Sequence, residues 1–317
     1  MSSLPAWLQT PPPTLGLQLD AQRITAVVVD RMAGAPVLRA VASAPLPPGA
    51  IVPSLTSHNV LAREVVVSAV RGLVDQIGGR PRLVALAIPD TAAKVSLLPF
   101  DQLPSSGRDL DKLVRLQLRK SVPFPVEDAQ VTWSHGGAEA GSTLLVVTAM
   151  RRDIVQEYEG VCAAAGLHAG TVDLATFSVV NLALLGGPDG AGLPGDTLLV
   201  HVTPSYASVA LLRDGALIFF RTRNDATEPV EDVVHQTRMF YEDRLNGEGF
   251  ARVLLVAGPD VPDRDMLTRN LTTLFEAPIT PLTLEGIASF GDRVSASTQV
   301  VGQVAAPAGV VLRESLT

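Results

Sequence analysis

The sequence predicts an α/β protein made of two related halves with a cleft between them. An apolar strand, a polar turn and a second apolar strand follow one another in residues 15–30, and the same pattern returns in residues 198–215. One such hairpin is a common pattern, but two that each open one half of the chain indicate a duplication. Elsewhere, strand-like and helix-like segments alternate, which is typical of a mainly parallel sheet covered by helices.

Length and composition are consistent with this fold class. At 317 residues the chain is long enough for two domains, and 47% of its residues are hydrophobic, which excludes a disordered chain. No apolar run reaches the length of a membrane span. The formal net charge is −7 and 4% of the residues are aromatic, so we expect no nucleic-acid binding. The single cysteine, Cys162, is typical of a reducing compartment.

In the first half, residues 1–13 are predicted to form a flexible tail, because this segment has neither a charged residue nor the long apolar core of a signal peptide. Apolar residues at helical spacing predict the helices that follow, and Gly78 and the pair Pro123 and Pro125 mark the ends of two of them. The expected elements after the hairpin are strand 37–44, helix 60–77, strands 83–88 and 95–98, helix 109–121, strands 130–134 and 143–149, and helices 153–165 and 174–185.

The second half begins after residues 186–195, whose glycines and prolines predict a linker. A phosphate loop is excluded there because no Gly-Lys-Ser/Thr follows. Beyond the second hairpin we expect strand 217–221, helix 230–245, strand 253–256, helix 265–275 and a tail that is irregular or strand-like. Aligned on each other, the two hairpins place Gln18 over His201 and Thr25 over Ser208.

Six segments carry a resemblance to a known family. The most specific is 112–128, where a helix pattern stops at Val122-Pro-Phe-Pro125. The others, in order, are 86–89, 95–99, 144–149, 162–167 and 212–215. In these segments and their spacing, the chain from about Thr14 onward resembles the PilM family, the actin-like proteins of type IV pilus assembly. It is more distantly similar to FtsA and to the cytoplasmic part of GspL.

The resemblance implies a fold of two actin-like (ribonuclease H-like) domains. It places the first domain at 14–190, with a PilM-type inserted subdomain at about 83–142, and the second domain at 196–317. Only about 30 residues separate Arg221 from Val253. The small subdomain of the second half should therefore be reduced.

The resemblance also implies where an actin-like protein would hold Mg-ATP, and the first phosphate loop departs from the family pattern. Gln18 stands where a metal-binding Asp is expected, Asp20 where a glycine lets phosphate approach, and Thr25 where a lysine is usual. A carboxylate about 4 Å from a phosphate charge costs roughly 4 kcal/mol at an effective dielectric of 20, or about a thousandfold in affinity. An alternative stays open, because Asp20 follows Gln18 by two residues and could take over the metal.

The second loop departs in parallel. His201 replaces the acid, Thr203 replaces the glycine, and Pro204 before Ser205 removes a backbone donor. Gly258 is what remains of a Gly-Gly adenosine motif. We therefore expect a degenerate nucleotide cleft with no catalytic residue and no cofactor. We expect no metal site either, since the five histidines are scattered without a second ligand at metal spacing.

The partner implied by the resemblance is the cytoplasmic N-terminal tail of a PilN-like inner-membrane protein. An extended tail gains backbone hydrogen bonds at an open strand edge and burial in apolar pockets. Val95, Leu97, Leu113 and Phe124 are the side chains expected along a groove between the inserted subdomain and the first domain.

The protein would then be a non-enzymatic cytoplasmic adaptor, held at the inner membrane by this partner without inserting into the membrane. It would be linked indirectly to PilO and to the pilus assembly ATPases. The open alternatives are an active actin-like ATP-binding protein of the pilus machine, a GspL-like secretion scaffold and a filament-forming protein.

Overall fold

The structure is a computed structural model. It describes residues 12–32, 34–78, 81–139, 141–186, 193–224, 229–275, 278–291 and 298–313. Residues 1–11 of the predicted tail and residues 187–192 of the predicted linker lie outside the described residues. In the part of the chain so described, no helix is long and apolar enough to cross a membrane.

Strands and helices are numbered here in chain order. The strands are β1 (Leu15–Leu19), β2 (Arg23–Met32), β3 (Ala35–Pro45), β4 (Leu83–Ile88), β5 (Lys94–Phe100), β6 (Ala129–Glu139), β7 (Ser142–Arg151), β8 (His168–Leu174), β9 (Asp196–Val202), β10 (Ala207–Arg213), β11 (Ala216–Arg223), β12 (Arg252–Ala257), β13 (Thr280–Pro281) and β14 (Ser289–Phe290). The helices are α1 (Arg63–Ile77), α2 (Gly107–Leu118), α3 (Arg152–Ala164), α4 (Ala175–Leu185), α5 (Val230–Arg244), α6 (Arg264–Phe275) and α7 (Thr298–Leu312).

The first lobe is built on a sheet in the order β14-β3-β2-β1-β4-β8. β1 is antiparallel to β2 and parallel to β4. The sheet is therefore an antiparallel meander on the β2–β3 side of β1 and parallel on the β4–β8 side. The residues of β4 are apolar along the strand, because both faces of this strand are covered. α1 and α3 pack together on one face of the sheet and bury a common apolar cluster with it.

The second lobe repeats the same topology in the order β11-β10-β9-β12-β13. β9 is antiparallel to β10 and parallel to β12, as β1 is to β2 and β4. Gln18 pairs with Thr25 in the first hairpin and His201 with Ser208 in the second, so the predicted duplication is confirmed at residue level. α5 and α6 cover the outer face. In the described residues between β11 and β12, α5 is the only helix, in agreement with a reduced subdomain.

The central layer between the lobes consists of α4 and α7, which pack closely against each other. The prediction of an irregular or strand-like tail is wrong here, because α7 is a helix. Its sequence has no charged residue, is mostly apolar and contains Gly302, Pro307 and Gly309, so it lacks the charged face that makes a helix recognisable in sequence. α7 contacts β1, β2 and β4, and β14 pairs with β3. The last part of the predicted second domain therefore belongs structurally to the first lobe.

The inserted subdomain is a sheet in the order β5-β7-β6 with α2 on one face. Its predicted bounds of 83–142 are wrong at both ends. β4 belongs to the main sheet, where it pairs with β1 and β8, and β7 continues the inserted sheet to Arg151. A short apolar strand has the same pattern in either sheet, so local sequence does not assign it. The loop expected over 135–142 is largely strand, and β8 was not predicted as a strand.

Candidate functional site

The candidate site lies in the cleft where the two hairpins face each other. The cleft contains a cavity of about 40 Å³, enough for one to three water molecules. Six of the seven residues predicted for the nucleotide cleft line this cavity: Gln18, Asp20, Thr25, His201, Thr203 and Gly258. The seventh, Ser205, is next to it, since its backbone N–H donates to the Thr203 hydroxyl at 3.3 Å. The structure thus brings together residues from both halves of the sequence.

Asp20 follows β1 directly and points its carboxylate into the cleft. Its Oδ1 accepts a hydrogen bond from the Ala21 amide at 2.7 Å. The pKa of Asp20 is raised to about 6, mainly by burial and also by the nearby carboxylates of Asp90 and Asp260, while hydrogen bonds from the Ala21 amide and the Ser205 hydroxyl oppose the shift. The carboxylate is therefore costly to ionise in this position.

Asp90 is the centre of the buried polar network, and sequence reasoning did not select it. It lies just beyond β4 and accepts hydrogen bonds from the Thr176 amide at 3.0 Å, the Thr176 hydroxyl and the Ser208 hydroxyl at 2.5 Å. Burial raises its pKa, and these hydrogen bonds oppose the shift. A signal was present, because a polar residue after a buried parallel strand lies at the carboxyl edge of the sheet, where α/β proteins place functional groups.

His201 joins the same network from the second lobe. Its Nδ1 is 2.7 Å from the Thr176 hydroxyl, and burial lowers its pKa to about 4, so the ring is neutral at neutral pH. When Asp90 is ionised, the Thr176 hydroxyl donates to it and His201 Nδ1–H donates to Thr176. On the other side, Ser208 is 2.9 Å from the Thr222 hydroxyl. Polar groups of both lobes therefore satisfy one another through Asp90.

A salt bridge closes the cleft beside this network. The Arg23 guanidinium on β2 donates to both oxygens of Asp260, beyond β12, at 2.6 and 2.8 Å. Arg23 also donates to Ser43 at 3.1 Å, which fixes its position on the first lobe. The pair lowers the pKa of Asp260, and the two side chains are 26% and 30% exposed. We call this pair the Arg23–Asp260 clasp.

The cleft is largely filled by its own side chains. A small-molecule pocket spans roughly 300 Å³ or more, far above the cavity found here. The Asp260 carboxylate is engaged by Arg23 and the Asp90 carboxylate by hydroxyls, while His201 is neutral and buried. Over the described residues, no group of three or more His, Cys, Asp or Glu side chains is arranged to hold a metal ion.

A separate groove of about 510 Å³ lies where the first lobe, the inserted subdomain and β11 meet. Its lining includes Leu55, Val95 and Phe220. The β5 edge runs into this groove, and within the described part of the chain no strand pairs with that edge. The groove therefore combines apolar surface with free backbone donors and acceptors.

The four predicted groove residues do not form one wall. Val95 and Leu97 lie on the face of β5 that packs toward the interlobe cluster. Leu113 and Phe124 pack instead into the cluster between α2 and the inserted sheet. Alternate residues of a strand point to opposite faces, so the side of β5 that carries Val95 is turned away from α2. Val95 lines the groove, and Leu113 and Phe124 belong to the subdomain core.

Two lobes of the same topology, crossed by a pair of central helices and facing each other through paired hairpins, define the actin-like class of proteins. The family model for the type IV pilus assembly protein PilM matches residues 16–242. The chain belongs to the PilM family and is an actin-like protein of type IV pilus assembly.

Solved structures show the same fold. A chain of the PilM–PilN type IV pilus biogenesis complex matches with a TM-score of 0.78 at 18% identity, over 96% of this chain and 99% of that one. The cytoplasmic domain of EpsL, from the type II secretion system of Vibrio cholerae, matches with a TM-score of 0.50 at 12% identity, over 95% and 94%. The ethanolamine utilization protein EutJ from Carboxydothermus hydrogenoformans matches with a TM-score of 0.50 at 14% identity, over 96% and 90%.

Proposed function

We propose that this protein is a cytoplasmic adaptor that binds the N-terminal tail of a PilN-like inner-membrane protein and does not hydrolyse ATP. The observation that carries the proposal is the groove beside the open edge of β5. The solved relative in a PilM–PilN complex supports a PilN-like partner. Through that partner the adaptor would be held at the inner membrane and linked indirectly to PilO and to the pilus assembly ATPases.

The groove suits an extended peptide. A tail lying along β5 would gain main-chain hydrogen bonds as an added strand, and every second side chain would enter the groove. Val95 and Phe220 offer apolar contact there, and Lys94 at the start of β5 adds one positive charge. We therefore expect a tail that is apolar at alternate positions.

Calorimetry with a synthetic tail peptide tests the partner. Val95→Lys places a charge in the groove and should weaken binding at least tenfold. Val65→Lys is the matched control, because Val65 is 43% exposed on α1, outside the groove lining, and its change should leave the affinity unaltered. If the wild-type chain gave no heat and no competition at near-millimolar peptide, tail binding would be refuted.

The closed cleft supports the absence of ATP hydrolysis. Its polar groups are engaged with one another, and Asp20 adds negative charge to the place where phosphates would bind. Thermal unfolding with and without Mg-ATP should show no rise in melting temperature. A rise that is present in the wild type and lost in Asp20→Ala would instead support the alternative, an active protein whose metal has moved to Asp20.

A further inference from the structure

The outer face of α2 carries an unusual concentration of positive charge. Arg108, Lys112 and Leu116 are spaced by four residues and therefore form one stripe along the helix, and Lys120 follows in the turn after its end. Arg119, the residue just beyond the helix, keeps a helical conformation, so its position seven residues after Lys112 puts it on the same side. Leu116, in the middle, is 59% exposed. We call these five residues the cationic face of α2.

The rest of the protein has the opposite charge. Residues 107–120 contain five basic and two acidic side chains, a net charge of +3 in a chain whose net charge is −7. One of the acids, Asp111, pairs with Arg115 at the side of the helix. The other, Asp109, is 3.3 Å from Lys112, and both of these side chains are at least 60% exposed. Arg119 has a comparably exposed partner in Glu127, so water and salt weaken both pairs.

The cationic face is not needed to hold α2 in place. Leu110, Val114 and Leu118 anchor the helix on the inserted sheet, and all three are buried. The exposed leucine and its flanking cations thus contribute little to the core, and their substitution should leave the fold intact. Helices that lie on membrane surfaces combine Lys and Arg side chains with exposed apolar ones, and the outer face of α2 has both.

We propose that the cationic face of α2 binds the surface of a bilayer that contains anionic phospholipids. A helix of 12 residues is too short to span a membrane, so α2 lies on the surface, with Leu116 entering between headgroups. Each cation near such a surface strengthens binding about fivefold. An anionic lipid surface suits this face because its charge is opposite to that of the five basic side chains in residues 107–120, and the exposed Leu116 lies among them.

This inference goes beyond the proposed adaptor function and is tested without it. Vesicles of phosphatidylcholine alone and of phosphatidylcholine with about one third phosphatidylglycerol contain no protein partner. The full chain should sediment with the anionic vesicles at low salt, remain in solution with the neutral ones, and be released as salt is raised. Failure of tail binding and failure of lipid binding are thus separate results.

Variants locate the binding face. The double variant Lys112→Glu with Lys120→Glu should reduce partition into anionic vesicles at least tenfold, and Leu116→Ser should reduce it severalfold. The double variant Arg244→Glu with Arg269→Glu makes the same change of charge at exposed positions on α5 and α6 and should bind as the wild type does.

Two results would overturn the proposal. One is equal partition of the wild type into neutral and anionic vesicles. The other is an equal loss in the two double variants, which would mean that net charge alone governs adsorption. Unchanged melting temperatures of both double variants would show that they remain folded.

Discussion

Asp20 shows at residue scale how one buried carboxylate affects the chemistry of the cleft. The carboxylate lies at the end of β1, near Asp90 and Asp260, and burial keeps its pKa at about 6. An unfolded chain would ionise it near pH 3.8. The folded protein thus favours the neutral acid. The contribution of the Asp20 carboxyl to the free energy of unfolding is complete below pH 3.8 and is lost as the pH rises through 6.

Asp20→Asn should therefore stabilise the protein at pH 7.5, by about 3 kcal/mol, because the amide needs no ionisation. The gain should shrink as the pH falls toward 4. His201 gives the opposite pH dependence, because its pKa of about 4 in the folded protein makes stability fall as the pH drops below 6.5. This effect is the same in the wild type and in Asp20→Asn, so it cancels in the difference between them. Urea unfolding at several pH values measures the difference. Asp75→Asn, at an exposed position on α1, is the control, and an Asp20→Asn variant less stable than the wild type at pH 7.5 would contradict the prediction.

The element that joins the two lobes is α7, and its glycines allow the close approach. A Cβ added at Gly309 would lie 1.9 Å from the Ser178 carbonyl oxygen of α4. A Cβ at Gly16 on β1 would lie 2.0 Å from the Pro307 carbonyl oxygen. Both obstacles are backbone atoms, which cannot turn aside as a flexible side chain can. The helix–helix and helix–strand distances therefore depend on these glycines.

Gly309→Ala should lower the free energy of unfolding by at least about 2 kcal/mol, since the helices must separate to admit the methyl group. Gly72→Ala is the matched control on α1, because no atom lies within 4 Å of its added Cβ. There, alanine should stabilise the helix by up to about 1 kcal/mol. Urea unfolding of both variants measures this contrast, and equal stability of the Gly309→Ala variant and the wild type would refute it.

At the scale of the whole molecule, the lobes are held together by the central helices, by the network around Asp90 and by the Arg23–Asp260 clasp. The clasp joins residues 237 apart in sequence and is partly shielded from water. Arg23 lies on β2 of the first lobe and Asp260 follows β12 of the second, so the lobes contact each other directly at the cleft. The closed arrangement is thus made by the protein's own groups.

A double-mutant cycle on Arg23→Ala and Asp260→Ala should give a coupling energy of about 1 kcal/mol, because the pair is bidentate and only about a quarter exposed. The same cycle on Lys112 and Asp109, an exposed pair on α2, should give a value near zero. Unfolding free energies of the single and double variants supply both values. A coupling in the clasp no larger than in the exposed pair would exclude it as a contact that holds the lobes together.

Much of this protein was predictable because its signals are local. Val66, Val70 and Leu73 recur at helical spacing and predict α1, and Gly78, with a φ of 71°, ends it. Asp214-Gly215 is typical of a tight turn, and the two residues, both with positive φ, join β10 to β11. The doubled hairpin also placed Gln18 and His201 in one cleft. Such patterns depend on neighbours a few residues away, so they can be read from the chain.

Tertiary structure alone decided the rest. The membership of β4 in the main sheet, the return of α7 to the first lobe and the opposite facing of Val95 and Leu113 all depend on segments far apart in sequence. Asp90 became the centre of the cleft because Thr176 and Ser208 meet it from elements 86 and 118 residues away. The sequence by itself thus determined the elements and their duplication. Long-range packing and hydrogen bonding determined which side chains share a site, because such contacts form only once the lobes are assembled.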